Sequence, residues 1–201
     1  MTKIKICGLY RPEDIQAVNA AQPDYAGFIV NFPKSHRNIT LETLKMLSVG
    51  LSGNICPVGV FVNQPIEEIA QLQKQGVIQV AQLHGRETQA DILKLKQLNG
   101  GKPVWKAFKV RSSQDLQEAE RSAADMILLD NGTGTGQSFD WSLLSDVSRS
   151  YFLAGGIDSN NAERAIRTLH PYGLDVSSGA ETNRKKDPQK IREIVRKVRN
   201  V

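Results

Sequence analysis

The sequence predicts a single-domain closed barrel over residues 1–201, an α/β fold of eight parallel strands each followed by a helix, the (β/α)8 TIM barrel. Three observations carry that expectation. Short runs rich in Val, Ile and Phe recur roughly every 20 to 30 residues, the segments between them place apolar residues at helical spacing, and eight such units can be counted. Eight is the number that closes a barrel. An open doubly wound sheet would carry a glycine fingerprint after its first strand, and "CGLY" has one glycine only.

The units run in order. "KIKIC" reads as the first strand, and "RPEDIQAVNAA" as a helix opened by Pro12, with Ile15 and Val18 on its inner face. "YAGFIV" leads into "TLETLKMLSVG", where Thr40 suits the N-cap and Leu44 and Leu47 face inward. "PVGVFV" is followed by "PIEEIAQLQKQG", with Pro65 near its start and Gly76 past its end. "VIQVAQL" with "ETQADILKLKQLN" and "PVWKAFKV" with "SQDLQEAERSA" make the fourth and fifth units. The sixth is "MILLD", a glycine-rich loop and a helix over "DWSLLSDV". "YFLAGG" with "NNAERAIRTL" and "GLDVSS" with "DPQKIREIVRKV" complete the series.

Composition narrows the class. Hydrophobic residues make up 40% and charged residues 23% of 201, ordinary for a folded soluble domain. No apolar run approaches the roughly 20 residues of a membrane span, and "MTKIKICG" lacks a signal peptide's apolar core, so a cytoplasmic protein with no membrane partner is expected. Cys7 and Cys56 both lie in apolar segments, the pattern of reduced thiols rather than a disulfide. The net charge is +5, but its concentrations at "NRKKDPQK" and "RKVRN" read as solvated helix ends or faces and not as a nucleic-acid site. A mild positive field would steer a small anion inward.

In a closed barrel the strand ends converge on one face, and there the functional groups are expected. Cys7 ends strand one, Asn31 and Arg37 follow strand two, and Asn63 and His84 end strands three and four. Lys109 and Asp130 end strands five and six, and Asp175 lies within strand eight. Glycines cluster in "NGTGTGQS", "AGG" and "SSGAE", after strands six, seven and eight. Such loops make tight turns, and they also let backbone N–H groups approach a phosphate. His36, His84 and His170 are too widely spaced to suggest a metal site.

"KICGL", "VGVFVN", "QLHG", "GTGQSFDW", "LAGGI" with "NN" just beyond, and "GLDVSSGAE" followed by "KD" together resemble, in order and spacing, the phosphoribosylanthranilate isomerase family of tryptophan biosynthesis. The resemblance spans essentially the whole chain. It implies an Amadori rearrangement of N-(5-phosphoribosyl)anthranilate to the 1-amino-1-deoxyribulose phosphate, without cofactor or metal. The implied partner is a small anionic phosphosugar, and the enzyme would be a monomer or homodimer.

By that resemblance Cys7 is the general base and Asp130 the general acid. A thiolate serves as a base if cationic neighbours such as Lys5, or a helix N-terminus, bring its pKa towards neutrality; a buried structural cysteine is the alternative. Burial beside "MILL" would keep Asp130 protonated, where otherwise it would cap the glycine loop. Arg37 matches the arginine that pairs with the anthranilate carboxylate, but "SHR" replaces the more usual Ser-Pro-Arg, so His36 is expected to loosen the loop. Gly155, Gly156, Ser178 and Gly179 would hold the phosphate. Asp175 would accept from a substrate hydroxyl or amine, or support the barrel. His84 is expected to be scaffold, and Cys56 structural.

Two neighbouring chemistries fit less well. The aminoaldose isomerase of histidine biosynthesis would place aspartate at the first strand end, and indole-glycerol-phosphate synthase would need a catalytic lysine and an N-terminal extension. A barrel that only binds a phosphorylated metabolite is set against the pair Cys7 and Asp130.

Overall fold

The computed structural model describes residues 1–130, 141–144 and 147–201. Eight parallel strands close on themselves: β1 Lys3–Cys7, β2 Tyr25–Val30, β3 Cys56–Phe61, β4 Val80–Leu83, β5 Val104–Lys109, β6 Met126–Asp130, β7 Tyr151–Leu153 and β8 Gly173–Val176. Closure runs through β1, in which Lys5 is in register with Tyr25 of β2 on one side and Asp175 of β8 on the other. The expected fold class is therefore observed.

Seven α-helices are found among the described residues: α1 Pro12–Ala21, α2 Leu41–Val49, α3 Ile66–Lys74, α4 Gln89–Leu98, α5 Ser113–Glu120, α6 Ala162–Leu169 and α7 Pro188–Arg199. Local chemistry sets their starts. The Thr40, Thr88 and Ser112 hydroxyls accept from backbone N–H groups of the first turns of α2, α4 and α5, which have no partner within the helix. Over "DWSLLSDV", where a helix is expected, the described residues show one 3-10 stretch, Trp141–Leu144, and residues 140, 145 and 146 lie outside the described set. The loop "NGTGTGQS" lies outside the described residues.

The period-two alternation of the strands produces two cores. Outward-facing Ile4, Ile6, Ala26, Phe28, Ile127, Leu129, Tyr151 and Leu153 pack under the helices. Inward-facing Val58, Val80, Trp105, Ala107, Leu128 and Phe152 fill the barrel, with Tyr25, Cys56 and Met126 against them. At the N-terminal end Phe152 stacks with Trp105 at 4.8 Å and meets the edge of Tyr25 at 5.6 Å. Phe152 has room because residue 173 is glycine: a Cβ there would lie 2.3 Å from its ring.

This floor is apolar and remote from the polar strand ends, so it contributes stability rather than chemistry. Phe152→Ala should lower unfolding free energy by about 3–5 kcal/mol in urea titration. At temperatures where the variant stays folded, kcat/KM should remain within about two-fold of the parent.

Candidate active site

The C-terminal strand ends enclose a cavity of about 200 Å³ lined by Cys7, Arg37, His84, Asp130, Asp175 and the loops Ala154–Ile157 and Ser177–Ser178. Of the eight residues to which the resemblance gives a catalytic, substrate-binding or phosphate-binding role, seven face this one space, and Gly179 lies beside it in the chain. A larger, shallower depression of about 810 Å³ opens from His84 towards Lys109 and Arg111, but neither Cys7 nor Asp130 lines it. The smaller cavity is the one that brings Cys7 and Asp130 together.

Cys7 is 7% exposed, and its neighbour inside the barrel, Lys5, is wholly buried. Lys5 Nζ donates to Asp175 Oδ1 at 2.8 Å, a contact between the first and last strands. Both side chains fit because residue 27 is glycine: a Cβ there would stand 2.9 Å from Cys7 Sγ and 3.0 Å from Lys5 Nζ. Burial alone would pull the Lys5 ammonium down, but the charges of Asp175 and Cys7, with the Asp175 hydrogen bond, outweigh it and raise it above its ordinary value.

The thiol does not behave as the sequence suggests. Burial pushes Cys7 up; Lys5 and Lys186 pull it down, Asp175 pushes it further up, and the balance is a thiol above its ordinary value. The expected fall towards neutrality fails because burial outweighs the pull of Lys5 and Lys186, and the Asp175 charge adds to it. At the opposite end of the barrel, at the start of β3, Cys56 is also a free thiol, half-buried and pushed up to about 11 by burial.

Asp130 emerges from the buried run Ile127–Leu129 into the cavity wall, where its side chain is 21% exposed, less secluded than its apolar neighbours suggest. His84 Nε2 lies 3.7 Å from Asp130 Oδ2, and its Nδ1 is 3.1 Å from Nε2 of the buried Gln82. If Gln82 donates there, the imidazole proton sits on Nε2 and faces Asp130. The scaffold histidine thus orders the wall beside the carboxyl group.

Arg37 is tied down by two residues that the sequence reading missed. Glu181 accepts from Arg37 Nε at 2.6 Å and Nη2 at 2.8 Å, and Lys186 donates to the same carboxylate at 2.7 Å. Glu181 and Lys186 face each other on a short antiparallel hairpin, Glu181–Thr182 with Lys185–Lys186, whose turn residues Asn183 and Arg184 both have positive φ. The signal was a Glu and a Lys flanking "TNRK", with Asn at a position that tolerates the left-handed region. Burial pushes Glu181 up, but the Arg37 hydrogen bond and the Lys186 charge outweigh it and hold the carboxyl at about 2.

The two glycine loops meet. Gly155 and Gly156 have φ of +85° and +68°, open to glycine at little cost. Asn161 Nδ2 donates to Gly156 O at 2.8 Å, and Asp158 Oδ1 accepts from the Asn160 and Asn161 N–H groups, which gives the "NN" pair its role. A Cβ at Gly179 would lie 2.0 Å from Ile157 O, so only glycine lets the loop after β8 close on the loop after β7. Among the described residues no cluster of three His, Cys, Asp or Glu side chains could hold a metal, and no helix is long and apolar enough to cross a membrane.

Comparison with known proteins gives the same picture over the whole chain. Residues 4–197 match the family model described as N-(5'-phosphoribosyl)anthranilate isomerase. An N-(5'-phosphoribosyl)anthranilate isomerase of Acetivibrio thermocellus is 41% identical, covering 99% of this chain and 96% of that relative. Among solved structures, a phosphoribosyl anthranilate isomerase in complex with reduced 1-(o-carboxyphenylamino)-1-deoxyribulose 5-phosphate superposes with a TM-score of 0.85 at 33% identity, covering all of both chains. Monomers generated from the dimeric Thermotoga maritima enzyme superpose at 0.87 and 34%, again over the full length of both.

The buried pair gives a direct physical test. Asp175→Asn leaves the Lys5 ammonium inside the barrel without its carboxylate and should cost about 3–5 kcal/mol in urea unfolding, whereas Lys5→Met combined with Asp175→Leu should recover most of that loss.

Proposed function

Because the chain belongs to the N-(5'-phosphoribosyl)anthranilate isomerase family, we propose that Cys7 and Asp130 are the base and acid with which it converts N-(5'-phosphoribosyl)anthranilate to 1-(o-carboxyphenylamino)-1-deoxyribulose 5-phosphate. The reaction is a step of tryptophan biosynthesis. One observation carries the assignment of roles: a single cavity joins a thiol, a carboxyl group, an arginine and two touching glycine loops.

The chemistry divides among them. Asp130 protonates the furanose oxygen, the C1–O bond breaks, and the nitrogen lone pair forms the iminium ion. Cys7 as thiolate then removes the C2 proton, the electron pair moves to C1 and the iminium nitrogen is neutralised, giving an enolamine that tautomerises to the ketone. Carbon 2 is oxidised as carbon 1 is reduced, so the rearrangement is redox-neutral and calls for no cofactor. Backbone N–H groups of Gly155, Gly156, Ser178 and Gly179 hold the phosphate, Arg37 receives the aromatic carboxylate, and Asp175 acts through Lys5. All these residues come from one catalytic domain, residues 1–201, so monomer and homodimer serve the site equally. The setting is cytoplasmic, and nucleic acid and membrane take no part.

The raised thiol determines the pH behaviour. The active form needs Cys7 deprotonated and Asp130 protonated, and an ordinary carboxyl titrates far below a thiol (about 3.9 against about 8.5), so the active pair is the scarcer ionisation state. For such a pair the acidic limb reports the carboxyl and the alkaline limb the thiol. The Cys7 limb is set by the groups facing it, Lys5, Asp175, Lys186 and Arg37. The iminium cation, once formed, lowers the thiol in the complex.

In kinetics on phosphoribosylanthranilate, kcat/KM should stay level through neutrality and fall only above the ordinary thiol range. Cys7→Ser should lose several orders of magnitude in kcat with the fold kept, and Asp130→Asn should collapse kcat and abolish the alkaline fall. Near-normal turnover in either variant would remove that residue from its role.

A further inference from the structure

Arg37 stands on the loop between β2 and a two-residue parallel strand, Asn38–Ile39, and its aliphatic stem lies over Gly8, where a Cβ would come within 2.3 Å of its Cδ. Among the described residues its guanidinium is hydrogen-bonded by Glu181 alone, 144 positions further along the chain. That carboxylate is itself held. Lys186, fully buried at its side chain, donates to Glu181 Oε1 and to Ser177 O at 3.0 Å, and Ser177 Oγ donates to Cys7 O at 3.1 Å. His36 Nε2 lies 3.8 Å from Glu181 Oε2.

A guanidinium offers a carboxylate two edges, one made by Nε and Nη2 and the other by Nη1 and Nη2. Glu181 fills the first. Two cations also share its single negative charge, so one positive charge is left in excess beside the cavity. This grip fixes an arginine whose loop, with His36 where proline is more usual, would otherwise leave it loose.

We propose that Glu181 is a positioning residue for substrate recognition: by holding the Nε/Nη2 edge of Arg37, it presents the Nη1/Nη2 edge as a preset receptor for the aromatic carboxylate. The proposal rests on Arg37 being that receptor. A preset fork loses less rotamer freedom on binding, so the gain is in affinity for carboxylated ligands and not in the proton transfers.

The test compares Glu181→Gln, Arg37→Ala and the double variant by KM and kcat. It also measures affinity for reduced 1-(o-carboxyphenylamino)-1-deoxyribulose 5-phosphate and for the same compound without its carboxyl group. Glutamine keeps the size but sets a donor against Nη2. The expected result is a rise in KM of about tenfold with kcat within about three-fold, an equal weakening for the carboxylated ligand, and none for the other. Added to Arg37→Ala, Glu181→Gln should cost nothing further. A fall in KM would make Glu181 a competitor of the substrate; equal weakening of both ligands, or an additive loss in the double variant, would make its role purely structural. Each overturns the proposal. If Arg37→Ala leaves discrimination between the two ligands intact, the reading of Arg37 itself fails. Should Glu181→Gln not fold, Lys186→Met, which frees the same carboxylate from behind, must produce the same carboxylate-dependent loss, and its absence counts against the proposal.

Discussion

An ammonium group sits inside this barrel with no access to water, 2.8 Å from the carboxylate of the strand that closes the ring. Lys5 and Asp175 occupy paired positions of β1 and β8, so the ion pair sits across the seam where the chain's two ends meet. Either charge alone would be costly there, and together they are tolerable only while the seam is shut. The same pair sets the electrostatics of Cys7. Burial pushes the thiol up, Lys5 offers the thiolate a cation that draws it down, and Asp175 opposes that pull, so the thiol stays high.

Stability and chemistry are thus divided along the barrel axis. The floor is aromatic and apolar, with Phe152 over Gly173, and the mouth carries ion pairs: Lys5 with Asp175, Lys106 with Glu87, Arg37 and Lys186 with Glu181. Cys7 is linked to these pairs through Lys5 on its own strand, through Ser177 in the loop after β8, and through Lys186 in the hairpin beyond it. A thiol held in this way is positioned by groups on three separate segments of the chain.

Much of this was legible beforehand, and the limits are instructive. Alternating apolar residues placed all eight strands, and Thr40 and Pro12 marked helix starts, because those signals are local. Cys7, Arg37, Asp130 and the glycine loops could be picked out by residue type at strand ends. Lys5 with Asp175, 170 residues apart, and Arg37 with Glu181 could not, because only closure brings them together. The direction of the Cys7 shift is not legible in the sequence for the same reason: burial is a property of the closed barrel and not of "KICG".

The most direct test is the reactivity of Cys7 itself, measured as its rate of alkylation by iodoacetamide across pH in a Cys56→Ser background and followed in parallel with turnover. Modification of Cys7 should abolish turnover one for one and be blocked by the reduced product analogue, and its rate should climb only above the ordinary thiol range of about 8.5. Enzyme fully alkylated at Cys7 that still isomerises phosphoribosylanthranilate would contradict the account, because the proton on C2 would then be leaving to some other base.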